Sequence, residues 1–100
     1  MRTYIFTYKH GNNDVNGNPR HWITVFRVKN NIPIRLGEGN VDVGYRGDLQ
    51  AACDVIQDNE RAWKNKPNVH YPNGFNPNAV YDAQHKGEIN VIQISNVKVR

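Results

Sequence analysis

One stretch of this chain carries apolar residues at helical spacing over several turns, and that limits the fold more than any other feature. In DLQAACDVIQDNERAW, residues 48–63, the positions Leu49, Ala52, Cys53, Ile56, Glu60 and Trp63 share one face, and all but Glu60 are apolar or small. Asp48 stands where an N-cap belongs. Asp54, Asp58 and Arg61 take the opposite face. A helix of this length spans about 24 Å and covers one face of a small sheet. The rest of the chain must supply that sheet.

It does so by alternation. In Thr3–Tyr8, the residues Tyr4, Phe6 and Tyr8 point one way and Thr3, Ile5 and Thr7 the other. In His21–Lys29, Trp22, Thr24, Phe26 and Val28 share a face, and His21, Ile23, Val25, Arg27 and Lys29 share the other. The two strands are expected to pair antiparallel across the connection HGNNDVNGNPRH, residues 10–21. Asn30-Asn31 forms the next turn, since asparagine tolerates left-handed backbone angles. A third strand follows in IPIRL, where Pro33 cannot donate to a ladder and marks an edge. GEGN is expected to break it, with Val41, Val43 and Tyr45 forming a continuation or a fourth strand. Residues 64–76 suggest a loop. A short helix over 77–86 would be capped by Asn76, begin at Pro77 and stop before Gly87, with His85 and Lys86 near its negative end. EINVIQISNVKVR closes the chain as a strand.

These elements predict one α+β domain over residues 1–100. It has one mainly antiparallel sheet of four to five strands, with a main helix (about 48–63) and a short second helix (about 77–86) on one face. Of the two faces of the first hairpin, the one with Tyr4, Phe6, Tyr8, Trp22 and Phe26 is expected to be buried, because aromatics remove the most area from water.

Composition narrows function by exclusion. Cys53 is the sole cysteine, so neither an internal disulfide nor a multi-cysteine metal site is available. On the apolar face of the helix it is expected to be an inert core thiol. The N-terminus begins as an alternating strand instead of a signal peptide, and no apolar run nears the ~20 residues of a membrane span. The expectation is a soluble cytoplasmic protein, monomer or homodimer, with no membrane partner. His10 and His21 could meet across the hairpin, and His70 and His85 flank the later loop, but their spacings match no metal-ligand pattern. Arg46-Gly47-Asp48 falls at a helix start and carries no adhesion role, and the only serine, Ser95, lies in a strand. No cofactor, metal or catalytic residues are expected, and the chain is not expected to be an enzyme.

What remains is binding. Loops as long as 10–21 are usually functional or mobile. Its charged ends and the adjoining strand offer Lys9, His10, Arg20, His21, Arg27 and Lys29 as partner-binding residues. Fifteen asparagines give a composition resembling that of small accessory proteins of phages and mobile elements. The function expected is that of a small inhibitor or accessory protein, contacting a host or defence protein through the N-terminal hairpin and loop 10–21. The alternative is a nucleic-acid-binding module, using the hairpin aromatics and the net charge of +4.

Overall fold

The computed structural model describes residues 2–44, 47–63 and 76–95. The alternating segments become β1 (Arg2–His10), β2 (Arg20–Lys29), β3 (Ile32–Asp42) and β4 (Ile89–Gln93). The helical stripe becomes α1 (Gly47–Asn59), which tightens into a 3-10 turn at Arg61–Trp63, and the second helix is α2 (Ala79–His85). The sheet order is β3-β2-β1-β4. β1 and β3 flank β2 antiparallel, while β4 lies parallel to β1. A parallel neighbour needs a crossover, and α1 and α2 supply it. The fold is therefore α+β, with a four-stranded, mostly antiparallel sheet and its helices on one face, as the sequence predicts.

The register distributes side chains to two faces. On the face under the helices, Ile34, Arg27, Tyr4 and Val91 form a row across all four strands, and Gly37, Val25, Phe6 and Gln93 form the next. Gly39, Ile23 and Tyr8 follow, then Val41, His21 and His10. The core is built here: Tyr4, Phe6, Ile23 and Val25 meet Ala51, Ala52, Cys53, Val55 and Ile56 of α1, Trp63, Ala79, Val80 and Ala83 of α2, and Ile89. Burial pushes the Cys53 thiol up to about 12, and the nearby Asp54 carboxylate adds to the shift.

This corrects the expected aromatic face. Alternation within each strand is as expected, but β1 and β2 pair even-numbered residues with odd-numbered ones, as in Phe6 opposite Val25 and His10 opposite His21. Tyr4 and Phe6 are therefore buried with Ile23 and Val25, while Trp22 and Phe26 occupy the far face with Thr3, Ile5 and Thr7. Register is a property of the connecting turn as well as of the strands, and the alternation of one strand says nothing about its neighbour.

The expected break at GEGN is also overturned, since β3 runs unbroken through it. A bulge between the partners of Val25 and Phe26 shifts the register at Leu36. Beyond it, Gly37 and Gly39 lie on the covered face. A Cβ on Gly37 would come 2.4 Å from Cγ of Asn59, and one on Gly39 would meet Val55 at 3.8 Å. Gly37 leaves room for Asn59 of α1, while a side chain at Gly39 would make ordinary contact. Asn30 and Asn31 adopt φ of 52° and 62°, the paired left-handed turn expected of them.

Helix α2 starts two residues later than expected and borrows its cap. Asn76 is buried, and its Oδ1 accepts the Asn78 N–H at 3.0 Å. The Val80 N–H donates to Oε1 of buried Gln57 on α1 at 3.2 Å, while Gln57 Nε2 donates to the Asn76 carbonyl. Gly87 follows the helix at φ 77°. Residues 64–75 of the expected loop over 64–76, with Tyr45, Arg46 and the last strand residues 96–100, lie outside the described residues.

Gly37→Ala should lower stability by about 1–3 kcal/mol, because the new methyl displaces Asn59. Asn59 Nδ2 donates to the Val55 carbonyl at 2.8 Å and is not free to swing away. Combining Gly37→Ala with Asn59→Ala should recover part of the loss, measured by urea unfolding as a double-mutant cycle.

Candidate functional site

The connection from β1 to β2 is ordered by its own side chains. Oδ1 of Asp14 accepts the backbone N–H of Asn16 at 2.9 Å and of Asn18 at 2.8 Å, and Oδ2 accepts Nδ2 of Asn18 at 2.9 Å. These bonds, the Asn18 side chain first, hold the Asp14 carboxyl below its usual range. Arg20 turns back, donating from Nε to the Asn12 carbonyl at 2.9 Å and from NH2 to the Asn13 carbonyl at 3.0 Å. Asn40 of β3 donates to the same Asn12 carbonyl at 3.2 Å, and its side chain occupies the space that any Cβ on Gly11 would need. Val15 is left fully exposed on this framework.

Beneath the loop, on the helix-covered face, four side chains of the strand ends and α1 converge. Tyr8 stacks on His21 with centroids 4.8 Å apart, and His10 meets the His21 ring edge-on at 5.0 Å. Nδ1 of His21 lies 2.6 Å from Oδ1 of Asp48, a hydrogen bond that an ionised carboxylate can only accept. Asp48 sits in the first turn of α1 and not before it, where its charge also suits the helix dipole. His21 and Asp48 are partly buried, while His10 is exposed.

At the opposite end of the same face, the Glu60 carboxylate is buried. It accepts the Tyr4 hydroxyl, and NH1 of Arg27 donates to its Oε1 at 3.1 Å. Arg2 stands 4.0 Å away, and Trp63 Nε1 donates to the Tyr4 oxygen at 3.2 Å. Burial, then the bond to Glu60, push the Tyr4 phenol up.

The other sheet face has no helix over it among the described residues. Across its middle run Arg35, Phe26, Ile5 and Ile92, one from each strand. Phe26 is 9% exposed between its neighbours, whereas Ile92 is 47% exposed. Toward the loop lie Thr7, Thr24 and Glu38, then Lys9, Trp22 and Asn40. Trp22 Nε1 donates to Glu38 Oε2 at 3.0 Å, and Arg35 pairs with Glu38 Oε1 at 2.7 Å. The Arg35 bond, then that from Trp22, hold the Glu38 carboxyl below its usual range, and the Lys9 charge adds to this.

The six residues expected to bind a partner do not form one patch. Lys9, His10, Arg20 and His21 gather at the loop end, but on different faces. Arg27 and Lys29 lie at the far end of β2, about 20–30 Å away by strand rise. Lys9 and Lys29 are exposed, whereas Arg20 braces the loop and Arg27 neutralises Glu60. Sequence reasoning missed the pairing of Asp48 with His21, residues 27 apart with no motif to link them. It placed Glu60 on the buried helical stripe without finding its partners. Among the described residues, no group of three His, Cys, Asp or Glu side chains is disposed to hold a metal ion.

Arg27→Met should lower stability by about 1–3 kcal/mol, since it strips a buried carboxylate of its charged donor. Adding Glu60→Gln should restore part of it, as read from chemical unfolding. In the loop, the Asp14 carboxyl should titrate below the usual aspartate range, and Asn18→Ala should move its midpoint back up. A depressed folded-state pKa means that the loop gains from Asp14 above the unfolded value and loses that gain as pH falls through the folded one. Carboxyl-carbon NMR across an acid titration checks both statements.

Comparison with known protein families, curated proteins and solved structures finds no match to this chain.

Proposed function

We propose that this chain is a small binding protein that acts by direct contact with a partner protein, using the uncovered face of its N-terminal hairpin and the loop beside it. The observation that carries this reading is the row Arg35, Phe26, Ile5 and Ile92, which lies across a sheet face with no described element over it. Its middle is apolar; Thr7, Thr24 and Glu38 border it toward the loop, and Asn90, Thr3, Val28 and Pro33 border it on the other side. An apolar centre with polar side chains along its border fits the anatomy of a protein interface. A side chain as exposed as Val15, on a loop held by five side-chain hydrogen bonds from Asp14 and Arg20, adds a preorganised contact.

The same face supports nucleic-acid binding less well. Phe26 is too buried to stack on a base, and Trp22 is tied to an acidic side chain. Lys9 and Arg35 share their surface with Glu38, so the face is mixed in charge and lacks a basic stripe. The roles that fit are those of an inhibitor or adaptor, of the accessory kind that the asparagine-rich composition resembles.

The test is capture of a partner from the source cell lysate by the immobilised protein, against two variants at exposed positions. Ile92→Asp and Val15→Asp should each keep the melting temperature and lose the captured protein. Capture should survive nuclease treatment and raised salt, whereas a complex held by phosphate contacts weakens steeply with salt. Undiminished capture by both variants, or loss of all capture after nuclease, would falsify the proposal.

A further inference from the structure

The cluster at the loop end has a chemistry that a binding face does not require. His21 has one ring nitrogen engaged by a carboxylate, which fixes the ring and leaves Nε2 as its working nitrogen. A second imidazole, His10, stands edge-on at 5.0 Å and is exposed. Two imidazoles, one oriented by an aspartate, form a set that can accept one proton and deliver another.

Among the described residues no serine, threonine or cysteine stands beside them, and the Tyr8 phenol, though stacked on His21, makes no hydrogen bond to either imidazole. Cys53 is buried in the core. Thr3, Thr7 and Thr24 are in register on the uncovered face. Ser95, the only serine, follows β4 and makes no hydrogen bond to either imidazole. The reaction best suited to such a site is one whose substrate brings its own nucleophile and needs only two proton transfers. RNA is such a substrate, because each ribose 2′-hydroxyl lies next to the phosphorus it can attack. A net charge of +4 favours approach of a polyanion. Tyr8, 41% exposed and stacked on His21, offers a ring against which an unpaired base can pack.

We propose that His10, His21 and Asp48 form an acid–base site that cleaves single-stranded RNA by internal transesterification. His21 Nε2 takes the proton of the 2′-hydroxyl as the bond from O2′ to phosphorus forms. Protonated His10 gives its proton to the 5′-oxygen as the bond from phosphorus to that oxygen breaks. The products are a 2′,3′-cyclic phosphate end and a 5′-hydroxyl end, and exchange with water restores both imidazoles. Asp48 is the positioning residue, acting through the ring of His21. This activity is independent of the protein-binding face and stands or falls without it.

The experiment uses the full chain with a chelator present, a fluorescent single-stranded RNA oligonucleotide of mixed sequence, and its fully 2′-O-methylated counterpart. The RNA should be cut to cyclic-phosphate ends and the methylated strand left intact. His10→Ala and His21→Ala should each slow cleavage at least about 100-fold, the scale of one lost proton-transfer group, with circular dichroism unchanged. Asp48→Asn should lower kcat and leave KM in place, a split that mere loosening of α1 would not give. If His21→Ala does not fold, exposed His10 carries the test alone. No cleavage above a buffer blank, cleavage of the methylated strand, or equal cleavage by the His10→Ala, His21→Ala double variant would each overturn the proposal.

Discussion

Helix α1 is fastened to β2 at both ends by polar contacts, and the rest of the fold is arranged around that span. From Asp48 to Glu60 the chain rises about 18 Å at helical pitch. From His21 to Arg27 a strand covers about 20 Å. The two lengths match, so Asp48 meets His21 at one end while Glu60 meets Arg27 at the other. The helix must therefore run along β2, in the same direction. Burying the Glu60 carboxylate would be costly alone, and it is tolerable because Tyr4 and Arg27, cross-strand partners in β1 and β2, both donate to it. A single buried charge thus ties α1 to both central strands.

Close approach follows from small residues on both sides. Ala51 and Ala52 of α1, and Ala79 and Ala83 of α2, are buried where larger side chains would push the layers apart. β3 answers with glycine at two positions on the covered face. Tyr4, Phe6, Ile23 and Ile56 then fill the interior between them. Gln57 is the polar exception in the helix interface, and both ends of its amide are satisfied by the start of α2. Such buried polar groups thus join elements to one another as well as being tolerated.

Much of this was legible in the sequence. The helical stripe gave α1, although the helix ends at Asn59 and Trp63 falls in the 3-10 turn beyond it, Asn30-Asn31 gave the turn, and Gly87 marked the end of α2. Fold class followed from counting one long helix against several alternating segments. What was not legible depends on contacts between distant segments. GEGN looks like a strand break because the reason for Gly37, the side chain of Asn59, lies about twenty residues on. Asp48 looks like a cap because nothing near it shows His21. Arg20 and Arg27 look like free cations because a sequence does not display the loop carbonyls or the carboxylate that engage them.

The register of the first hairpin shows how such contacts decide between near-equal arrangements. A slip of one residue in β2 would give the aromatic face that alternation alone suggests, with Trp22 and Phe26 under α1 in place of Ile23 and Val25. Phe26 is already only 9% exposed on the far face, so that exchange would gain burial chiefly at Trp22 while giving up that of Ile23 and Val25. It would also turn Arg27 and His21 away from the helix, leaving Glu60 without its charged donor and Asp48 without its ring. Stripping a buried carboxylate of its charged donor costs about 1–3 kcal/mol, so the polar contacts outweigh the extra burial at Trp22. The same slip would separate His10 from His21 and carry the row of Phe26, Ile5 and Ile92 out of line. The sheet face with no described element over it and the imidazole cluster therefore rest on one choice of register. The His21–Asp48 hydrogen bond, the Arg27–Glu60 ion pair, and the self-bonded loop that closes with His10 opposite His21 enforce that choice.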